Sequence, residues 1–312
     1  MSFTTTRRRM ALVLLLVLAA CEGHYLQIAQ DSFDKGAAIE NRMSMPVATA
    51  IPPGVAPGGV PPTTGSAAAY YLDARKNVCT AINHYGSDLA KDGMTAQALI
   101  ILALTNWRLD GLLGKGDDSG DRCGGHDYRA ATKAAIADAT QAGQKEPESQ
   151  GERFLLAMLP GLLDHNSGLR KTSETPMDAS NDFGSAFKVL GDAGKIIAGQ
   201  TPPIDLAHPP TSLHQLREYG FLAQIQVLKA RYAAVLHANE PSVTTPGQHL
   251  TTVERKACAD SLVRVPGQEV IAQLKGLDPD GTLIGRDTLK SISERPLFNG
   301  KGPPAPGCPW LP

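Results

Sequence analysis

Aromatic residues are scarce in this chain of 312 residues, only 5% of it, with two tryptophans. A β-sandwich core would draw on more aromatic and β-branched side chains, whereas alanine and leucine, abundant here, suit closely packed helices. Charge of one sign is also missing. The net charge is −1 and no basic stripe is visible, which leaves phosphate-backbone binding nothing to stand on and excludes nucleic acid as a partner. The longest apolar run, Met10 to Ala20, falls well short of the roughly twenty residues that a membrane-crossing helix needs. Nor does any stretch alternate with the period of two that marks a half-buried strand.

What is present is helical. In the stretch from Ser66 to Gly114, Tyr71, Ala74, Val78, Ile82, Tyr85 and Leu89 recur at steps of three and four and share one stripe. Lys91-Asp92-Gly93 then ends that helix, with Gly93 suited to the left-handed conformation of a C-terminus, and Met94 or Thr95 opens the next. The second arm, Ala98 to Leu104, is apolar nearly all round and therefore predicts a helix sandwiched between neighbours. Further helices are expected over 22–45, 128–141, 149–163, from about 180 to 194, 211–239, 251–263, 266–274 and 287–293. Pro160 predicts a kink or early end in the helix over 149–163, and Ser149-Gln150-Gly151-Glu152 at its start has capping-box spacing. The fold class expected is all-α, an irregular array of antiparallel helix pairs, solenoid or bundle. Its parts are an N-terminal helix over 21–45, a Pro/Gly-rich linker over 46–65, a helical domain over 66–300 and a Pro-rich tail over 301–312.

The N-terminus, Arg7-Arg8-Arg9 followed by the apolar run and then Leu18-Ala19-Ala20-Cys21, resembles a bacterial lipoprotein signal peptide with its lipobox. That resemblance implies removal of residues 1–20 and a mature chain held to a membrane by acyl chains on Cys21. Glu22, rather than aspartate, follows the cysteine, which implies the periplasmic face of the outer membrane over the inner one. Losing residues 1–20 takes away three arginines and no acid, so Lys+Arg falls from 30 to 27 against 31 Asp+Glu and the net charge from −1 to −4. Four cysteines remain, Cys79, Cys123, Cys258 and Cys308. In an oxidising compartment an even number reads as two disulfides, with three possible pairings. The body, with Trp107, Leu109 and Gly111 echoing residue types of tetratricopeptide arrays, is similar to helical-repeat periplasmic lipoproteins such as those associated with TRAP transporters. No repeat of about 34 residues is visible, however. The resemblance implies a soluble periplasmic scaffold that presents a groove to a partner or ligand.

Motifs with catalytic associations fail on context. Ser32-Phe33-Asp34-Lys35 has the Ser-x-x-Lys spacing of penicillin-recognising enzymes without their later elements in order. Asp182-Phe183-Gly184 lacks every other kinase element, and Gly111 to Lys115 lacks P-loop spacing. Catalytic residues and cofactors are accordingly expected to be none. Weak metal candidates are Cys123 with His126, where a disulfide competes for the thiol, and a degenerate calcium loop holding Asp278, Asp280 and Asp287. Gly276 stands where that loop needs its first ligand. Tyr71, Tyr85, Trp107 and Tyr219 are candidates to line an apolar groove, although aromatics at helical spacing more often build core. The expectation is a lipid-anchored helical scaffold that binds a protein partner in an envelope complex. The alternative is a carrier of an apolar small molecule that serves a transporter.

Overall fold

A computed structural model describes residues 21–43, 65–114, 121–145, 150–198, 213–238 and 251–277, together with Lys290. Its helices are α1 (Cys21–Met43), α2 (Ala67–Lys91), α3 (Thr95–Leu113), α4 (Tyr128–Gly143), α5 (Gln150–Lys171), α6 (Pro176–Ala198), α7 (Leu213–Ala238) and α8 (Thr252–Leu277). Among the described residues there is no strand, and the protein is an all-α helical array. It divides into two compact units, residues 1–148 with α1 to α4 and residues 149–312 with α5 to α8. The expected signal segment, the linker before Gly65, the tail and, apart from Lys290, the expected helix over 287–293 lie outside the described residues.

Within each unit a helix packs against its successor, and the pairings run antiparallel. In the first unit Tyr25 stacks on Tyr85, Ser32 donates to Asp73 at 2.6 Å and Glu40 accepts from Tyr71, so α1 descends as α2 rises. The hairpin between α2 and α3 forms as its residues predict. Ser66 caps α2 by accepting the Ala69 N–H, and Gly93 takes φ +67 in the turn. α3 is buried from Ala96 to Leu109 on almost every side, as its uniform apolarity requires. A kink falls at Tyr85 in α2 (φ −124, ψ 17), just before Gly86-Ser87, a pair that weakly resists bending.

In the second unit glycines let the helices approach. A Cβ on Gly161 would stand 3.1 Å from the Ala186 carbonyl oxygen, one on Gly168 only 2.6 Å from the Phe183 ring, and one on Gly220 3.1 Å from Phe154. Phe221, Ile225 and Leu228 of α7 then meet Val263, Val270, Ile271 and Leu274 of α8 in one cluster.

Three boundaries differ from the sequence expectation, two where a helix runs through a proline and one where a proline opens a helix. α5 runs through Pro160 to Lys171, and α8 is a single helix through Pro266 where two were expected. A proline inside a helix costs about 3 kcal/mol. Leu156, Met158 and Leu159 before Pro160 and Leu162 and Leu163 after it are all buried, and burial of that many side chains outweighs the missing bond. Pro160 itself faces solvent. α6 starts at Pro176, ahead of the expected start near residue 180, because proline suits the first helical turn and Ala179 N–H already bonds the Thr175 carbonyl. Ser180 is thereby drawn into the helix interior.

Candidate functional site

Buried polar residues line a seam in each unit, Arg75 and Asn106 in the first and Ser180 and Gln224 in the second. In the first unit the loop from Asp121 to Asp127 is tied to α2 and α3 from several sides. Cys123 is disulfide-bonded to Cys79 of α2 across 44 residues. By the loop-closure argument such a bond destabilises the unfolded chain by about 4 kcal/mol. The Arg122 carbonyl accepts from Arg75 Nη2 and from Asn106 Nδ2, each at 3.3 Å, while its guanidinium pairs with Asp138. Arg75 also lies over the Tyr128 ring, 5.1 Å from its centroid. Burial lowers the Arg75 pKa, with Tyr128 and Asp121 opposing, and burial raises that of Tyr128. Asp127 caps α4 by accepting the Ala130 N–H at 2.9 Å.

The disulfide corrects the weak metal reading of that loop. Cys123 has no thiol to offer, and His126 is exposed at the edge of Tyr128, its ring centroid 6.3 Å away. Among the described residues no group of three or more His, Cys, Asp or Glu is placed to hold a metal ion. Asp278, Asp280 and Asp287 lie outside them.

The aromatic groove candidates do not converge. Tyr71 is fully buried, its ring 5.3 Å from Phe33 and pressed where Gly36 has no side chain, and its hydroxyl donates to Glu40. Arg108 pairs with the same carboxylate at 3.3 Å and lies 4.2 Å over the buried Trp107 ring. Tyr85 stacks on Tyr25 at 5.8 Å. These side chains hold α1 to the hairpin. Tyr219 belongs to α7, in the other unit, and its side chain lies outside the described residues.

The motif with catalytic associations on α1 is also accounted for. Ser32 is buried and its hydroxyl hydrogen goes to Asp73, while Lys35 is exposed. Asp182 pairs with Lys171 at 2.8 Å, and Phe183 is core.

Sequence reasoning passed over the seam of the second unit. There α6 and α7 face each other with Gln224 donating to the Phe187 carbonyl at 3.4 Å and Arg231 Nε donating to Ser180 Oγ at 3.4 Å. Beside it, His165 of α5 lies against Phe183, ring centroids 5.7 Å apart, and burial brings its pKa down to about 4. A helical spacing of small residues, Ser180, Gly184 and Gly191, opposite one long cation was the available signal. Cys258 of α8 is also disulfide-bonded. Its partner is not among the described side chains.

The fold and its seams define a class, an all-α array of antiparallel helices clamped by a disulfide. No protein-family model, no curated protein and no solved structure matches the chain.

Proposed function

We propose that this protein is a lipid-anchored scaffold at the periplasmic face of the outer membrane, holding a protein partner in an envelope complex. The observation that carries the reading is the lipobox Leu18-Ala19-Ala20-Cys21. In this reading α1, which packs on α2 through Ser32 and Glu40, couples an acylated Cys21 to a folded body. Disulfides at Cys79–Cys123 and at Cys258 support an oxidising compartment. No helix of the described residues is long and apolar enough to cross a membrane, so the acyl chains supply the attachment in this reading.

Occupied tyrosines favour the scaffold over the carrier. Tyr71 and Trp107 spend their surface on packing and on Glu40 and Arg108 rather than on a ligand. A tetratricopeptide-like groove for the partner is part of the same proposal.

The test is mass spectrometry of the protein extracted from its own membrane, with and without Cys21→Ser. A diacylglyceryl mass on Cys21 and release of the variant into the soluble fraction are expected. Crosslinkers placed along α4 should then trap one protein neighbour at defined positions. An unmodified Cys21 on a membrane-free protein overturns the anchor, and a bound small molecule with no protein neighbour overturns the scaffold.

A further inference from the structure

Arg231 stands apart from the other seam cations. Arg75 has Asp121 near it, Arg108 has Glu40 and Arg122 has Asp138. Arg231 is partly enclosed between α6 and α7, and burial lowers its pKa, with no acid among the described residues paired to it. Holding an uncompensated charge out of water is costly, and a leucine or methionine would fill the space without that cost.

Its geometry shows how the group is held. Nε donates to Ser180 Oγ at 3.4 Å, and Ser180 is fully buried. One turn further along α6, a Cβ on Gly184 would stand 3.2 Å from both Cζ and Nη2 and 3.4 Å from Nη1. Nearly equal distances to three atoms of one planar group mean that the guanidinium lies flat on α6 where the side chain is missing. One face is therefore set by Gly184 and one corner by Ser180. What remains is the Nη1–Nη2 edge, the fork whose spacing matches two oxygens of a carboxylate or phosphate. Arg231 is half-buried rather than sealed from solvent.

We infer that the seam between α6 and α7 is a binding site for an oxyanion, a carboxylate or a phosphate, received on the Nη edge of Arg231. Gly184 and Ser180 are positioning residues. The site stands independently of the membrane anchor, and its test does not involve Cys21.

The full chain, isotope-labelled, is titrated with inorganic phosphate and separately with acetate, each against chloride of matched ionic strength, while the Arg231 side-chain N–H resonance is followed. A saturable shift in either titration is expected. Tighter phosphate assigns the site to phosphate esters, and tighter acetate to carboxylates such as an acidic side chain of a partner. Arg231→Lys keeps the charge but loses the fork and should weaken binding about tenfold. Gly184→Ala keeps the whole fork but pushes its plane off α6, and should weaken binding as well. No saturable shift beyond the chloride control, or unchanged affinity in both variants, overturns the site. If the variants fail to fold, the Arg231 resonance of the unaltered protein decides.

Discussion

Gly168 and Gly194 look alike in the sequence, and the structure gives a substitution to alanine opposite signs at the two. A methyl group at Gly168 would meet the fully buried Phe183 ring at 2.6 Å, while nothing lies within 4 Å of one at Gly194. Overpacking costs about 1–3 kcal/mol, against a helix-propensity gain of up to about 1 kcal/mol. Gly168→Ala should therefore lower the urea midpoint followed by far-ultraviolet circular dichroism, and Gly194→Ala should raise it slightly. His165 belongs to the same contact. Its imidazole titrates at about 4 when folded, against 6.5 in the unfolded chain. The unfolded state takes up the proton first as pH falls, so stability present above pH 6.5 is lost progressively toward pH 4. The full effect is at most about 3 kcal/mol. Urea midpoints measured between pH 6.5 and 5, above the range of ordinary carboxylates, should fall in the natural protein and stay level in His165→Gln.

At the scale of the element, local chemistry decides where helices begin, and burial decides how far they run. α8 opens with a capping box that sequence reasoning missed. Thr251 N–H and hydroxyl both donate to Glu254 Oε2, at 2.8 and 2.7 Å, and Glu254 N–H donates to Thr251 Oγ1 at 3.3 Å. The Thr251 hydroxyl first, and then its backbone N–H, hold the Glu254 carboxyl below its usual pKa. Thr251→Ala should speed amide exchange in the first turn of α8 while leaving the turns beyond Cys258 protected, and Glu254→Ala should do the same. Equal protection along the whole helix in both variants would show that the box does not set this end. The hairpin of α2 and α3 was legible because Ser66 and Gly93 act within a few residues of themselves. The continuity of α5 and α8 was not legible. It depends on Leu162, Leu163 and Val270 finding buried places on other helices, and Pro160 and Pro266 carry no sign of that.

At the scale of the whole molecule the five cysteines form a closed account. Cys79 and Cys123 pair with each other, and Cys258 is in a second disulfide. A cysteine whose sulfur carries a diacylglyceryl group cannot also form a disulfide, so the lipoprotein reading leaves Cys308 as the partner of Cys258. Peptide mapping without reduction should return Cys258 joined to Cys308. A Cys21–Cys258 peptide instead would remove the anchor, and with it the scaffold's place in the envelope.

By itself the sequence determined the helical class and the hairpin at 66–114, because periodicity, caps and a left-handed glycine are interactions between near neighbours. It determined also that Cys79 and Cys123 had oxidation open to them, without saying which cysteine each would meet. Tertiary structure alone decided that Tyr71 and Trp107 are packing residues, that Ser32 gives its hydrogen to Asp73, and that the Arg231 guanidinium lies flat on Gly184. The hydrogen bonds of Tyr71, Ser32 and Arg231 reach residues from 31 to 51 positions away, brought close by the antiparallel turn of the chain. Side-chain identity states what a group can do, and only the fold states what stands opposite it.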